Sequence, residues 1–327
     1  MRILHSLSAL ETPLLASVVT IGNFDGVHLG HRELFRKVVR AGLELEMPTV
    51  VVTFVPHPLK FLAPIKAPRL INTYAEKERL IAASCIDTLL ALSFDHGLAA
   101  LSARDFVRDI LVRQLGMKQL FIGYDYAFGK DRQGDADLLR HLGEEFGFTV
   151  EVLEPVRMHE EVYSSTRIRE LVAAGAVEAV VPLLGRHFTL EGEVVHGAGR
   201  GGGQLGFPTA NLKTEKELLP AEGVYAVKVC RDDQWHDAVV NIGKNPTFDG
   251  EELTIEVHLL DFSASIYGET LRIYFLSRLR AEVRFDSVET LIAAIRSDIA
   301  QARKLLAVTR VRVYRDYLDC PHVGAKE

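Results

Sequence analysis

Cysteine is scarce in this sequence, and long apolar runs are absent from it. Cys85, Cys230 and Cys320 lie far apart without a CxxC pair, which argues against a disulfide scaffold and against a cysteine-based zinc site. The N-terminal stretch is interrupted by His5 and Glu11, and no uncharged apolar run reaches the ~18 residues that cross a bilayer. We therefore expect a cytoplasmic protein with neither a signal peptide nor a membrane span.

The sequence also lacks the basic excess of a nucleic-acid-binding protein. It contains 38 Lys and Arg against 44 Asp and Glu, for a formal net charge of -6, so we expect no nucleic-acid partner. A length of 327 residues exceeds the size at which a single hydrophobic core usually keeps growing, so two domains are expected. Self-association leaves no signal that can be read from the sequence.

Apolar, β-branched runs alternate with amphipathic segments from residue 17 to about residue 155. The runs have the pattern of buried parallel strands; they are SVVTIG, TVVVTFV, DTLLALSF, KQLFIG and FTVEVL. This alternation predicts an α/β domain with a doubly wound, Rossmann-like parallel sheet. Ligands of such sheets bind beyond the carboxyl ends of the strands, where the first strand meets its turn and helix. The string GNFDGVHLGH occupies that place.

From Phe188 onward, period-two alternation replaces the helical pattern. The alternating segments are FTLEGEVVH, GVYAVKVC, DAVVNIG, LTIEVHLL and TLRIYFLSRL. They predict a small antiparallel β-barrel or sandwich, closed by a C-terminal helix with Asp286 and Glu289 in its first turn. Its apolar stripe comprises Leu291, Ile292, Ile295, Ile299 and Leu305. We place the domain boundary at residue 184, which gives domains of residues 1–184 and 185–327.

GNFDGVHLGH, residues 22–31, has the features of an anion-binding helix start. A helix N-terminus presents backbone N–H groups and a positive dipole end, and the glycines of the string let the chain approach a ligand closely. His28 and His31 share one face of the first turn, where both can donate hydrogen bonds to phosphate oxygens. On these residues alone, solvated surface histidines stay an alternative, whereas a zinc site lacks an evident third ligand.

Two strings resemble the nucleotidyltransferase superfamily. GNFDGVHLGH is similar to its GxFDxxHxGH signature, and SSTRIR, residues 164–169, resembles its SSTxIR element. The resemblance implies that His28 and His31 hold ATP phosphates and that Arg169 stabilises charge growing on the pyrophosphate leaving group. It implies further ATP or phosphate contacts by Gly22, Asn23, Phe24, Asp25, Gly30, Ser165 and Thr166.

Two further strings narrow the family. TFVPHPLKFL and FIGYDYAFGKDRQGD resemble segments of the bacterial bifunctional riboflavin kinase/FAD synthetases. The resemblance implies contacts with flavin or nucleotide by His57, Pro58, Asp125 and Phe128. The sequence departs from the family pattern at Tyr126, where the family usually has Phe, and at Tyr163, where an aliphatic residue is expected.

The segment HGAGRGGGQLGFPTANL, residues 196–212, begins a second set of motifs. Backbone N–H groups of such a glycine-rich loop can cradle phosphates, although the glycine count alone fits a disordered turn equally well. GFPTAN matches the signature of riboflavin kinases, and GVYAV, NIGKNPTF, IEVHLLDF and YGE follow in the family order. The resemblance implies phosphate contacts by Gly197, Gly199 and Gly206.

Oxygen-bearing side chains follow this loop. Thr209 and Asn211 are spaced by two, so an extended backbone places both on one face, and their oxygens suit Mg²⁺ completed by ATP phosphates. In LTIEVHLL, apolar residues alternate with Glu256 and His258, a pattern that also fits a solvated strand face. The resemblance implies that Thr209 and Asn211 hold Mg²⁺ and that Glu256 deprotonates the ribityl 5′-hydroxyl of riboflavin.

Taken together, the motifs resemble the bacterial bifunctional riboflavin kinase/FMN adenylyltransferase family. The resemblance implies that riboflavin and ATP give FMN in the C-terminal domain, and that FMN and ATP give FAD and pyrophosphate in the N-terminal one, with Mg²⁺ as cofactor. Two alternatives stay open: the first domain transfers a nucleotide to another phosphate, or the barrel is a flavin-binding sensor without catalytic activity.

Overall fold

The computed structural model describes residues 1–124, 126–129, 133–158, 161–197, 206–247 and 250–314. Its contacts divide the chain into two compact units. The first contains Met1–Ser165 and Tyr314, and the second contains Thr166–Val313. None of the helices in the described residues combines the length and the apolar character that crossing a membrane requires.

A parallel sheet of six strands forms the centre of the first unit. Its strands are β1 (Arg2–Leu4), β2 (Ser17–Ile21), β3 (Thr49–Val55), β4 (Thr88–Ser93), β5 (Met117–Gly123) and β6 (Thr149–Leu153). They lie in the order β1-β4-β3-β2-β5-β6, and all neighbours pair in parallel. The predicted doubly wound sheet is confirmed, with the short β1 as an edge strand that the sequence pattern did not predict. The chain reverses its direction of winding between β2 and β5, and the turn after β2 therefore lies at a topological switch point.

Both faces of this sheet are buried. Val19 and Ile21 of β2 belong to one apolar cluster, whereas Val18 belongs to a second cluster together with Phe35 and Val38 of the following helix. Because neighbouring residues of a strand point to opposite faces, the two clusters cover opposite sides of the sheet. This double burial explains why the strands appear in the sequence as continuous apolar runs.

The helices of the first unit connect these strands. They are α1 (Leu29–Glu44), α2 (Pro58–Leu62), α3 (Tyr74–Ala82), α4 (His96–Ala100), α5 (Ala103–Asp105), a π-helix (Phe106–Gln114) and α6 (Ala136–Phe146), with 3₁₀ turns at Leu7–Ala9 and Pro64–Lys66. A small antiparallel pair, β7 (Arg157–Met158) and β8 (Glu161–Val162), follows β6. The Ser102 hydroxyl caps α5 by accepting a hydrogen bond from the Asp105 N–H at 3.0 Å. The continuation as a π-helix was not predicted.

The second unit is a closed antiparallel barrel with helices before and after it. Its elements are α7 (Ser165–Ala173), α8 (Val177–Leu184), β9 (Phe188–Val195), β10 (Ala210–Lys213), β11 (Gly223–Arg231), β12 (Gln234–Thr247), β13 (Gly250–Leu259), β14 (Thr270–Ala281) and α9 (Val288–Val308). The barrel order is β10-β13-β12-β11-β14-β9, closed by pairing of β9 with β10. Of the two architectures left open by the sequence, the barrel is therefore correct. The four-residue strand β10 was not predicted.

Side-chain alternation in the barrel agrees with the sequence pattern. Ile255, Val257 and Leu259 of β13 are buried, while Glu256 and His258 between them are half-buried. Tyr225 packs its ring edge-on against Phe275 inside the barrel, with 5.4 Å between the ring centroids.

Helix α9 begins later than the sequence predicts. Ser287 is its N-cap and forms a capping box with Thr290, so Asp286 precedes the helix and only Glu289 lies in the first turn. The predicted apolar stripe is only partly buried, because Ile295 and Ile299 border a cavity instead of a packed core.

Helices α7 and α8 group with the barrel by their contacts, although the sequence division at residue 184 assigns them to the first domain. The Glu178 carboxylate of α8 accepts hydrogen bonds from the Ser277 hydroxyl and from the Arg278 backbone N–H.

The two cysteines described in the structure differ: Cys230 is free, whereas Cys85 is disulfide-bonded, which the cysteine spacing did not predict.

The buried hydroxyl groups of Tyr126 and Tyr225 lead us to expect opposite effects of substitution by phenylalanine. The Tyr126 hydroxyl oxygen is buried without a hydrogen-bond partner among the described residues, and burial raises the pKa of this phenol. We expect Tyr126→Phe to raise the free energy of unfolding of the first unit by about 1 kcal/mol, because it removes an unsatisfied polar group. Urea-induced unfolding followed by circular dichroism measures the change.

Tyr225→Phe is the matched control for this experiment. The Tyr225 hydroxyl donates a hydrogen bond to the Ala221 carbonyl, so its removal should lower the free energy of unfolding of the second unit by about 1 kcal/mol. A destabilising Tyr126→Phe substitution would show that the Tyr126 hydroxyl has a partner in solution.

Candidate functional sites

The turn between β2 and α1, residues 22–28, has a strained backbone. Phe24 and Val27 have φ angles of 47° and 40°, and Gly26 lies between them with a φ of 87°. A positive φ is a marked outlier for a β-branched residue such as Val27, and strain of this kind concentrates at functional sites. The side chains of Phe24 and Val27 are buried in the core of the first unit, which holds the turn in place.

Asp25 holds this turn in place through both its side-chain carboxylate and its backbone carbonyl. Its carboxylate accepts hydrogen bonds from the Ile71 N–H at 3.0 and 3.1 Å and from the Asn72 N–H at 3.3 Å. Its backbone carbonyl accepts a hydrogen bond of 2.8 Å from the Ser165 hydroxyl. The structure thus brings Ser165, the second Ser of SSTRIR and the first residue of α7, into contact with the GNFDGVHLGH turn. Through these hydrogen bonds Asp25 determines the shape of the turn.

His28 and His31 lie together at the N-terminus of α1. Their rings stack with 3.6 Å between centroids, and the His28 Nδ1 accepts a hydrogen bond from the His31 backbone N–H at 3.4 Å. Because Nδ1 is the acceptor, a neutral His28 carries its proton on Nε2, which is then a donor. A Cβ at Gly30 would come within 3.1 Å of the His28 ring, so a larger residue there would press on that ring. A Cβ at Gly22 would similarly come within 2.9 Å of the Phe24 ring.

His57 and Phe128, also predicted for the first site, follow β3 and β5, the two strands on either side of β2. His57 is the second residue after β3, and its backbone N–H donates a hydrogen bond to the Tyr74 hydroxyl at 3.0 Å. Its Nδ1 accepts from the Leu59 N–H at 3.2 Å, and Pro58 begins α2. Phe128 follows β5 but is buried among aromatic residues.

Three predicted residues of the first site cannot be placed beside it. Asp125 lies outside the described residues. Thr166 and Arg169 continue α7 within the second unit, and their contribution to the first site stays a prediction.

A buried lysine that the sequence analysis missed lies behind the strained turn. The Lys77 Nζ of α3 donates hydrogen bonds to the Asn23 carbonyl at 3.0 Å and to the Thr53 hydroxyl at 3.2 Å. Burial lowers the pKa of Lys77 to about 8, against the opposing effect of the Asp25 and Glu78 carboxylates. In the sequence Lys77 belongs to the string AEKERL, which has the composition of an ordinary surface helix; only the pairing of Thr73 with Glu76 marks the start of that helix.

The second site is built on three neighbouring barrel strands. Glu256 of β13 is paired with Asn211 of β10 on one side and with Asn241 of β12 on the other. The Glu256 carboxylate also shares a hydrogen bond with the Thr209 side chain, which lowers its pKa, but burial has the larger effect and raises it. The structure therefore brings Thr209, Asn211 and Glu256 together, while their roles stay a prediction. Asn241 was missed because strand register cannot be read from one strand alone.

Gly197 and Gly206 are the described glycines on either side of the glycine-rich segment before β10. A Cβ at Gly197 would lie 2.1 Å from the Asn211 amide nitrogen, so a larger residue there would displace that side chain. Gly206 has a φ of 79°, and Gly199 lies outside the described residues. The His258 Nδ1 lies 2.8 Å from the Pro208 carbonyl oxygen; since a carbonyl only accepts, this nitrogen carries a proton. His258, also missed as a functional residue, thus fixes the backbone next to Thr209.

A cavity of about 370 Å³ adjoins Glu256. Its walls are mainly apolar and include Phe207 and, from α9, Leu291 and Ile295. Polar groups converge on it from Glu256, Asn241 and the ion pair of Arg280 with Asp298, whose closest atoms are 2.9 Å apart. A concave, apolar space with a few directed polar groups is typical of a small-molecule site.

The residues that could hold a metal ion at this site offer mainly neutral oxygens. Within the described ranges, no group of three or more His, Cys, Asp or Glu residues is arranged to hold a metal ion. The Thr209 hydroxyl and the Asn211 amide lie beside the Glu256 carboxylate and form a small set of hard oxygen donors. Such a set fits Mg²⁺, which keeps several waters and takes its remaining ligands from substrate phosphates.

Two family models match the chain in sequence. The model of FAD synthetases matches residues 11–167, and the model of riboflavin kinases matches residues 184–306. The first range contains the GNFDGVHLGH turn, and the second contains the whole barrel.

Curated relatives match nearly the full length. A bifunctional riboflavin kinase/FMN adenylyltransferase of Pseudomonas fluorescens is 41% identical, covering 94% of this chain and 98% of the relative. The enzyme of the same name from Escherichia coli K12 is 38% identical with the same coverage. The crystal structure of a macrolide-efflux protein from Streptococcus pneumoniae is also similar, with a TM-score of 0.83 and 37% identity over 92% of this chain and 98% of that one.

The environment of Glu256 predicts a specific titration behaviour. The hydrogen bond from Thr209 favours the charged carboxylate, whereas burial disfavours it. We therefore expect the Glu256 carboxyl to titrate above its ordinary pKa in the native protein, and still higher in a Thr209→Val variant. Carbon-13 NMR of labelled glutamate side chains measures both values.

Thr214→Val serves as the control for this titration, because the Thr214 hydroxyl donates to the Glu191 carbonyl and has no contact with Glu256. An equal pKa of Glu256 in the native protein and in the Thr209→Val variant would contradict the hydrogen bond.

Proposed function

Since this chain belongs to the family of bifunctional riboflavin kinase/FMN adenylyltransferases, we propose how its residues divide the two reactions between the two sites. The protein is a transferase that phosphorylates riboflavin to FMN with its flavokinase region and adenylylates FMN to FAD with its FAD synthetase region. We propose residues 1–184 as the adenylyltransferase domain and residues 185–327 as the kinase domain. The family models, which end at 167 and begin at 184, support this division, while α7 and α8 contact the barrel.

In the kinase domain, Glu256 acts as the general base. Its carboxylate takes the proton from the ribityl 5′-hydroxyl as that oxygen attacks the γ-phosphorus of ATP, and the bond from the γ-phosphorus to the bridging oxygen of ADP breaks. The observation that carries this proposal is the position of Glu256, directly opposite Asn211 and hydrogen-bonded to Thr209 at the edge of the cavity. The raised pKa brings this base closer to neutral pH, where general bases are most effective.

The cavity takes the isoalloxazine ring of the flavin, and the oxygens of Thr209 and Asn211 hold Mg²⁺. When bound, Mg²⁺ neutralises charge on the ATP phosphates. Gly197, Gly199 and Gly206 let the backbone approach those phosphates. His258 keeps the Pro208 carbonyl in place and so positions Thr209.

In the adenylyltransferase domain, catalysis relies on positioning and on charge neutralisation. The N-terminus of α1 and the Nε2 of His28 donate to ATP phosphates, His31 does so beside it, and Arg169 stabilises the pyrophosphate leaving group. An FMN phosphate oxygen attacks the α-phosphorus, and the bond from the α-phosphorus to the bridging oxygen of pyrophosphate breaks. This nucleophile is already anionic, so the site needs no general base.

The remaining residues of this domain shape the site around the substrates. We assign ATP contacts to Gly22, Asn23, Phe24, Asp25, Gly30, Ser165 and Thr166, and flavin or nucleotide contacts to His57, Pro58, Asp125 and Phe128. For Asp25 and Phe128 the contribution is indirect, because the Asp25 carboxylate binds backbone N–H groups and the Phe128 ring is buried. The protein acts in the cytoplasm on small molecules, without a nucleic-acid partner.

Glu256→Gln tests the kinase assignment. Loss of the base should slow FMN formation from riboflavin about 10²- to 10⁴-fold, the usual worth of a general base, and leave FAD formation from supplied FMN unchanged. In the native enzyme, kinase activity should fall as the pH drops through the raised pKa of Glu256, because only the carboxylate accepts a proton. Chromatography of FMN, FAD, ADP and pyrophosphate follows both reactions.

Glu193→Gln, which changes an exposed carboxylate of the same barrel, should leave both activities unchanged. Unimpaired FMN formation by the Glu256→Gln variant would refute the role of Glu256.

His28→Ala tests the adenylyltransferase assignment. Removal of one positioned donor to the phosphates should slow FAD formation from FMN by about 10²- to 10³-fold, with FMN formation from riboflavin unaffected. His5→Ala provides the control, because the His5 side chain is 71% exposed and lies outside the motif. Equal rates of FAD formation in the His28→Ala variant and the native enzyme would rule out the phosphate role of His28.

A further inference from the structure

Lys77 is a buried cation on the inner side of the strained turn. We propose that it is a positioning residue for adenylyl transfer, whose ammonium group holds the Asn23 carbonyl and thereby fixes the turn that presents the N-terminus of α1 to ATP. This inference rests on the ATP-binding role proposed above for residues 22–31. Lys77 belongs to α3 and does not itself belong to either sequence motif of the site.

Three polar groups meet at this point. The Lys77 Nζ lies 3.0 Å from the Asn23 carbonyl oxygen and 3.2 Å from the Thr53 hydroxyl, and that hydroxyl lies 3.3 Å from the same carbonyl oxygen. Asn23, Thr53 and Lys77 thus form a closed triangle that joins the turn, strand β3 and helix α3. Lys77 is only 7% exposed, so water does not compete freely for these bonds.

Because the peptide unit between Asn23 and Phe24 is planar, the hydrogen bond from Lys77 to the Asn23 carbonyl also determines the direction of the Phe24 N–H. The Asn23 carbonyl and the Phe24 N–H belong to one rigid peptide unit and point in opposite directions. When Lys77 holds the carbonyl, the Phe24 N–H is turned away from α3. Phe24 is also the first residue of the turn with a positive φ, so this bond fixes the peptide plane at which the strained segment begins.

The groups around Lys77 lead us to expect a distinctive pH dependence of adenylyl transfer. The groups that face its ammonium are the Asp25 and Glu78 carboxylates, the Thr53 hydroxyl and the Tyr74 ring, whose centroid is 5.3 Å from Nζ. Burial outweighs the two carboxylates and lowers the pKa of Lys77 to about 8. Near this pH the ammonium becomes a neutral amine, which donates a weaker hydrogen bond to the carbonyl.

Stability and activity should therefore change in opposite directions with pH. Because the pKa of Lys77 is lower in the folded protein than in the unfolded chain, the folded state binds fewer protons above pH 8, and its free energy of unfolding rises with pH in this range. The charge-assisted bond to Asn23 is lost over the same range. A purely structural lysine would instead make activity follow stability.

The experiment compares Lys77→Met with Lys77→Arg in the full-length enzyme. We expect Lys77→Met to lower kcat/KM for ATP in FAD formation by about 10- to 100-fold, the effect of losing one charge-assisted hydrogen bond. Riboflavin phosphorylation by the same preparation should stay within about twofold of the native rate, and the unfolding midpoint of the first unit should not fall. Lys77→Arg keeps the charge at every pH and should restore part of the activity.

The pH profile provides the second measurement. In the native enzyme, kcat/KM for ATP in FAD formation should decrease above pH 8, and this decrease should be absent from both Lys77 variants. Lys118→Met, which changes an exposed lysine of β5, should retain the native profile.

Two outcomes would overturn the proposal: native adenylyl transfer by Lys77→Met, or an activity loss accompanied by a matching loss of unfolding midpoint in the first unit. His28→Ala in the same assays separates this failure from a failure of the site. If His28→Ala also retained native FAD formation, the ATP-binding assignment itself would be wrong.

Discussion

The proposed adenylyltransferase site depends on holding one turn in a conformation that the chain would not adopt unaided. Positive φ angles at Phe24 and Val27 cost on the order of 1–3 kcal/mol each, and the rest of the first unit offsets that cost. Phe24 and Val27 are buried in the core, Asp25 binds backbone N–H groups, and Ser165 reaches the Asp25 carbonyl. The result is a helix N-terminus whose donors keep their direction before ATP arrives, so that binding does not have to order them.

The kinase site reaches a comparable rigidity by a different route. Its proposed base, Glu256, is held by the hydrogen-bond ladders of a closed barrel, with Asn211 and Asn241 in register on either side. Here the regular strand geometry aligns the side chains, and the absence of a side chain at Gly197 leaves space for Asn211. The difference suits the two reactions. A neutral alcohol needs a base held firmly in one place, whereas an anionic phosphate nucleophile needs donors arranged around the nucleotide.

The sequence predicts those features that depend on neighbours along the chain. Double burial of the sheet is visible as continuous apolar runs, and alternation around Glu256 is visible as a period of two; both predictions are confirmed. Features that depend on distant contacts were missed. Lys77 meets Asn23 across 54 residues, and nothing in its own helix distinguishes it from a surface lysine. Asn241 faces Glu256 only because β12 and β13 pair in one register. The π-helix after Ser102 and the edge strand β1 have no local signature at all.

Lys77 and Glu256 illustrate how each site retains a charge that burial opposes. Burial lowers the pKa of Lys77 and raises that of Glu256, so both environments disfavour the ionised form. An apolar side chain of similar size would avoid the desolvation cost at either position. Each charge is therefore explained by the group toward which it points, and not by a gain in the free energy of unfolding. For Glu256 the raised pKa favours the proposed role, because a carboxylate with a raised pKa is a stronger base. For Lys77 the lowered pKa is a consequence of burying a cation on the inner side of the turn. The Asp25 carboxylate makes this lowering of the pKa smaller. Asp25 thus anchors the backbone of the turn and also preserves the charge that orients the neighbouring peptide.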